Sequence, residues 1–287
     1  MVRRNLVSVI LLFLAVGALV AQEPIITSTS RIDWQSGLLN VEMVAEAVDS
    51  ASLRPGFLHR AQRRIDAVFP SALFDALLPL RVDSVHVVED FVRRRPELAS
   101  QIADLAQKAT PGLPQPGADL SRLRREYAVP IFPDFVRLFV DHSIPFRMEE
   151  VISWVPTTRF SGVVIYAAEP LPLRGTDRTV LPAPALLPEI YDENLRPVLD
   201  HDMLDPEAVR RWGVVAYSAT TREEEWRRRI GTNPMRIMAR EAYGVQPTDI
   251  IIGVDDADRL LSTAHNRDLL RNGRILVILD ESRILID

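Results

Sequence analysis

The sequence predicts an α+β protein: an N-terminal hairpin-plus-helices domain followed by a sheet-rich mixed α/β domain. Two observations carry that reading. Amphipathic helical spacing dominates the first half of the chain, whereas strand-like apolar runs dominate from residue 160 onward. The two textures meet across "DHSIPFRMEEVISWVPTTR" (141–159), which reads as a short helix and linker. At 287 residues, with 47% apolar and 25% charged side chains, the chain can bury two cores of ordinary size. The expected bounds are 1–21 for an export signal, 22–145 for the first domain and 160–287 for the second.

The signal is read from Arg3 and Arg4 in "MVRRN", followed by the charge-free stretch "LVSVILLFLAVGALVA" (6–21). That stretch is short for a membrane span of about 20 residues and ends in small residues without a basic flank. Cleavage after Ala21 or Ala18 and a periplasmic location are expected. No other run in the sequence is apolar enough to suggest a stable membrane span after signal removal.

Next, "RIDWQSGLLNVEMVAEAV" (31–48) alternates Ile32 and Trp34 before "QSG" and Leu39, Val41 and Met43 after it, which predicts a hairpin. In "RPGFLHRAQRRIDAVF" (54–69), Leu58, Ala61, Ile65, Val68 and Phe69 form a helical stripe. Pro70 predicts a break there, with a second helical piece set at an angle. A further helix is expected where Leu98, Ile102, Leu105, Ala106 and Ala109 form a stripe. "TPGLPQPGAD" (110–119) reads as a loop, and "RREYAVPIFPDFVRLFV" (124–140) as an edge or bulged strand because Pro130 and Pro133 lack ladder donors.

In the second half, strands are expected at 160–168, 188–192, 196–200, 212–219, 235–242, 248–252 and 274–280. The "ENL" turn joins the second and third into a hairpin. A helix over 256–273 lies between the last two strands, a connection that favours parallel pairing.

Charge and composition exclude several functions. The formal charge is −5, and loss of Arg3 and Arg4 with the signal takes it to −7. An acidic chain without a basic, aromatic-interleaved stripe offers little to nucleic acid. The absence of cysteine removes disulfides, thiolate chemistry and an acylated lipoprotein anchor. Lys108 is the sole lysine among 34 basic residues and no glycine loop precedes it, so a phosphate-binding G-x-x-x-x-G-K-[ST] loop is absent. The G-x-S-x-G and G-x-G-x-x-G patterns are absent too, and no cofactor or catalytic set is expected.

Two acidic stretches remain. "TDIIIGVDDADRLL" (248–261) delivers Asp255, Asp256 and Asp258 to a strand end, as a magnesium-binding carboxylate site would; without a phosphate loop, Asp255 is expected to act as a structural helix cap. "DHDMLD" places Asp200, His201, Asp202 and Asp205 within six residues and is the best metal candidate. Asp205-Pro206-Glu207 also has the form of a cap, a first-turn proline and a first-turn acid. For protein contacts, Trp212, Trp226, Arg227, Arg228 and Arg229 are the candidates.

The segments "GLLNVEMVAEA", "LHRAQRRIDAVFPSALFDALLPL" and "RVDSVHVVEDFVRRRPELASQI", followed by "FSGVVIYAAEPLPLRG", "GVVAYSA", "NPMRIMAREAYG" and "TDIIIGVDDADRLLSTAHNRDLLRNGRILVILD", together resemble a known group. The chain resembles exported bacterial envelope proteins related to FlgP-type flagellar outer-membrane lipoproteins and the FlgT amino-terminal domain. It is also similar to uncharacterised spirochaete periplasmic proteins. The resemblance implies a non-enzymatic periplasmic structural or assembly protein of the flagellar motor or outer membrane, with envelope or flagellar partners or self-association. It brings no catalytic residues. The alternative expectation is an exported metal-dependent hydrolase using Asp200, His201 and Asp202.

Overall fold

A computed structural model describes residues 23–48 and 56–286. The expected signal over 1–21 lies outside the described residues. Strands β1 (Ile25–Asp33) and β2 (Leu38–Glu46) form the expected hairpin, in unbroken antiparallel register from Ile25↔Glu46 to Asp33↔Leu38. Gly37 at φ 68° closes the turn, a conformation that favours glycine. Alternation along β2 turns Leu39, Val41, Met43 and Ala45 inward, each 1% exposed or less.

Helix α1 (Phe57–Leu77) covers that face. Its buried residues Phe57, Ala61, Ile65, Phe69, Leu73 and Leu77 fall at four-residue steps along one stripe. Contrary to the break expected at Pro70, α1 runs through it. A proline inside a helix removes one backbone donor and costs about 3 kcal/mol. Burial of Phe69, Leu73 and Leu77 on both sides of it offsets that cost, because a second piece at an angle would lift Leu73 and Leu77 out of the core.

Helices α2 (Val88–Arg94) and α3 (Glu97–Asp104) follow, the latter burying Leu98 and Ile102 as its stripe predicts. The 110–119 segment is not wholly loop: β3 (Thr110–Pro111) and β4 (Gln115–Pro116) both pair with β5 (Arg122–Pro130). β5 therefore lies between β2 and these short strands rather than at the sheet edge. Pro130 is accommodated because it is the last residue of the strand, opposite Leu38. No helix or strand occurs over 140–162, where the short helix of the linker was expected.

Beyond this connector two four-stranded sheets appear. β6 (Val163–Ala167) is central to one of them. β7 (Leu171–Pro172) and β8 (Thr179–Val180) make a small ribbon. β9 (Ile190–Asp192) and β10 (Pro197–Leu199) form the expected hairpin, and helix α4 (Pro206–Trp212) precedes β11 (Ala216–Ser218). After the short α5 (Arg227–Ile230) come β12 (Met235–Met238), β13 (Glu241–Tyr243) and β14 (Asp249–Ile252).

The expected helix over 256–273 is two helices, α6 (Val254–Leu261) and α7 (Ala264–Arg271), before β15 (Ile275–Leu279). Thr263 separates them: its side chain accepts from the Asn266 amide, which starts a new helix instead of continuing the old one. The parallel pairing expected between β14 and β15 does not form. β15 pairs in parallel with β6 and β11, with β12 on the far side of β6, whereas β14 pairs in parallel with β9. Both strands are fully buried, which suits the interior of a parallel array equally well in either sheet.

The two halves interlock. The short α8 (Glu281–Ile284) leads into β16 (Leu285–Ile286), which pairs antiparallel with β1 through Ile32↔Ile286. The Leu186 and Leu187 amides donate to the Arg81 and Val82 carbonyls at 3.1 and 2.7 Å, and the Gln246 amide donates to Ser84 O at 2.8 Å. At Gly244, φ 99°, an added Cβ would stand 2.4 Å from that of Ser84. One continuous apolar core runs from Ile32 to Ile284.

Candidate functional site

The β9–β10 hairpin explains how the best-furnished polar site arises. Its register sets Ile190 opposite Leu199. One residue further out, Glu189 and Asp200 leave the ladder on the same side of the turn, and a short 3-10 turn over His201–Met203 follows at once. Asp200 caps that turn by accepting the Asp202 amide at 3.1 Å. As a result one ligand-type atom each from Glu189, Asp200 and His201 lies within 4.8 Å of the other two.

His201 sits between carboxylates, with Nδ1 2.9 Å from Asp200 Oδ1 and Nε2 3.4 Å from Asp202 Oδ1. His142, from the connector, reaches the same place: its Nε2 is 2.9 Å from Leu204 O and its Nδ1 is 3.1 Å from Asp202 Oδ1. Both Nδ1 atoms are buried, and neither makes a hydrogen bond of good geometry despite those short separations.

The electrostatics follow from burial and crowding. Burial raises the Glu189 carboxyl above its usual range, against the donated Tyr191 hydroxyl, and the nearby Asp200 charge adds to the rise. His201 beside it holds Asp200 below the usual carboxylate range. Burial acts to lower the His201 value, but Asp200 and Asp202 outweigh it and hold the imidazole above its ordinary value. Behind them Asp249, 1% exposed, accepts the Glu189 amide at 3.1 Å and is pushed up to about 7 by burial.

A half-buried set of two carboxylates and an imidazole is the donor chemistry of a divalent cation site. Of the four residues expected from "DHDMLD", the structure brings Asp200 and His201 into the cluster and places Asp202 beside them. It does not bring Asp205, whose side chain accepts the Glu207 amide at 2.8 Å and caps α4. Sequence reasoning missed Glu189 and His142. Glu189 had a signal: a hairpin closed by "ENL" puts the residue before one strand across from the residue after the other. His142, on an irregular connector, had none.

Against known families, residues 25–138 match the N-terminal domain of Treponema pallidum Tp0624 and residues 162–281 match its second domain. The chain is similar to Tp0624 across two successive domains. The two matches cover most of the sequence and leave out the connector, and their partner is a spirochaete protein. No curated protein matches the chain. The cluster of Glu189, Asp200 and His201 thus lies in the part similar to the second domain of Tp0624, while His142 lies between the two matched parts.

Two other expectations within the Tp0624-like second part are corrected. Asp255 is not a helix cap. α6 starts two residues earlier than that cap implies, with Gly253 in the cap position, and the Val254 amide lies 3.3 Å from the Glu193 carboxylate, which serves the helix end from outside. Asp255 is exposed in the first turn, and Asp258 pairs with Arg196 at 2.5 Å. Arg229 is not a surface contact residue. It is 6% exposed, lies over the Trp212 ring, and donates to the Gly273, Trp212 and Gly213 carbonyls at 2.8, 2.5 and 2.9 Å. Trp212 itself is half-buried and donates to Asn272 O at 3.2 Å. Trp226 is half-buried, packed on the small core cluster of Val164, Ala216, Ile230, Leu276 and Ile278, which leaves Arg227 and Arg228 as the exposed members of the expected contact set.

Proposed function

We propose that the protein is a non-enzymatic structural or assembly component of the periplasm, with flagellar or outer-membrane proteins as its partners. The observation that carries this reading is the connector. Within residues 144–154, Ile144, Phe146, Ile152 and Trp154 are 75%, 62%, 96% and 87% exposed, while Met148 between them is 2% exposed and ties the segment to the core. Large apolar side chains in such numbers on one short irregular segment mark a contact surface in a soluble chain. Tryptophan in particular is over-represented among residues that dominate binding energy.

The shared core supports the same reading, because the connector is held at both ends by one packed body instead of swinging between loose units. The likeness to Tp0624, a spirochaete protein, and the sequence resemblance to flagellar envelope proteins together suggest the partner class. Among the described residues no helix is long and apolar enough to cross a membrane.

A photo-crosslinking residue at position 154, in cells, tests the idea. The expected result is a discrete adduct with an envelope protein or a second copy, absent when the probe is at Arg211 and lost when Ile152 is changed to Ser. Absence of any adduct at 154, together with a purified protein that stays monomeric at high concentration, refutes it.

A further inference from the structure

The cluster at the mouth of the β9–β10 hairpin has the dimensions of a coordination sphere. Ligands held at about 2.0–2.2 Å from a metal stand roughly 3.0–3.5 Å apart when they are neighbours around it. Asp200 Oδ1 to His201 Nδ1 is 2.9 Å; Asp202 Oδ1 lies 3.4 Å from the other ring nitrogen, Nε2, the place of an orienting partner. The widest separation within Glu189, Asp200 and His201 is 4.8 Å at most, so closure needs a movement of about 1 Å, within reach of one glutamate torsion.

A second observation, from a different part of the chain, points the same way. The His142 side chain is 7% exposed, and its Nδ1 has no hydrogen-bond partner. Because Leu204 O can only accept, Nε2 carries the proton, and in the neutral ring Nδ1 presents a lone pair. Asp202 Oδ1 stands 3.1 Å from that nitrogen, off the line of a good hydrogen bond. A buried nitrogen lone pair without a donor, beside a half-buried carboxylate, is a position that a cation satisfies. The His201 Nδ1, also buried and without a hydrogen bond of good geometry, lies 2.9 Å from Asp200 Oδ1.

We propose that Glu189, Asp200 and His201 bind one divalent transition-metal cation of the zinc type, with Asp202, at the other ring nitrogen of His201, and His142 behind it orienting the ligand set. Imidazole with carboxylates selects zinc, cobalt or manganese over calcium and magnesium, which prefer oxygen alone. His142 is the element that makes the site more than a local turn. It belongs to the connector, so a bound cation draws the connector against the second half of the chain. The site and the assembly reading stand on separate observations, and either can fail without the other.

The test uses the purified protein, stripped with a chelator and titrated with zinc or cobalt. The expected result is one bound equivalent, retained in excess magnesium and calcium, with a visible cobalt absorption that disappears on adding zinc. His201→Ala and Glu189→Gln are each expected to weaken binding at least tenfold while the circular dichroism is unchanged. His142→Ala, which leaves the three principal ligands in place, is expected to weaken binding by about ten- to a hundredfold, as loss of an orienting partner does. The exposed Glu207→Gln serves as the control and keeps full affinity. Absence of stoichiometric uptake overturns the proposal, as does uptake that survives both ligand substitutions. Should a ligand variant fail to fold, the cobalt spectrum of the unaltered protein decides alone, because a silent spectrum also overturns it.

Discussion

Arg229 has its guanidinium inside the protein, where burial lowers its pKa to about 9 and still leaves it cationic at neutral pH. Three carbonyls from two loops share its donors, so the side chain works as a pin. Arg229→Met is expected to cost about 3 kcal/mol in chemical denaturation, whereas the exposed neighbour Arg227→Met changes stability by less than about 0.5 kcal/mol. The run "RRR" (227–229) concealed this difference, since three identical residues give no sequence cue to which one turns inward. The caps divide in the same way. Asp205→Ala is expected to lose about 1 kcal/mol as a true cap, and Asp255→Ala no more than a few tenths. "DPE" was legible because the proline fixes where the helix begins, while "GVDDAD" gave several acids and no such fixed point. Asp249 makes a pH prediction. In the folded chain it keeps its proton to about pH 7, whereas the unfolded carboxyl loses it near 3.9. Between those values the folded state binds more protons, so this group makes stability fall as pH rises. Unfolding measured from pH 4 to 7 is expected to show that decline, and Asp249→Asn to flatten it.

Among the elements, α1 shows where a local rule yields to packing. Pro70→Ala restores a backbone donor inside the helix, and a gain of about 1–2 kcal/mol is expected in thermal or denaturant unfolding, below the full proline penalty because the unfolded chain also gains freedom. Helical stripes and hairpins were readable from the sequence, since each depends on residues within one or two turns of one another: the 58–69 stripe, the "QSG" and "ENL" turns, and the strands 248–252 and 274–280. Pairing partners were not readable in the same way. β14 and β15 are both continuous apolar runs, and nothing in "DIII" or "ILVIL" specifies which of two buried sheets each joins. The cluster of Glu189, Asp200 and His201 was half legible for the same reason. Asp200 and His201 are adjacent in sequence, but Glu189 arrives through strand register and His142 through the packing of a connector.

Over the whole molecule, two sequence regions of different texture become one mechanical body. The shared core and the β1–β16 pairing predict a single cooperative transition in calorimetry, not two. Gly244→Val is expected to destabilise both halves together, because its Cβ would collide with Ser84 across the seam. Deletion of 281–287 is expected to lower the melting temperature and to expose the edge of β1 to pairing between molecules, detectable as concentration-dependent aggregation. That last pairing also sets an order in time. During synthesis β1 and β2 are made early, yet the partner along the free edge of β1 exists only once residue 286 has been made and released. The hairpin therefore has one side open from the synthesis of β2 until that of β16, an interval in which a chaperone can hold it before the sheet is sealed.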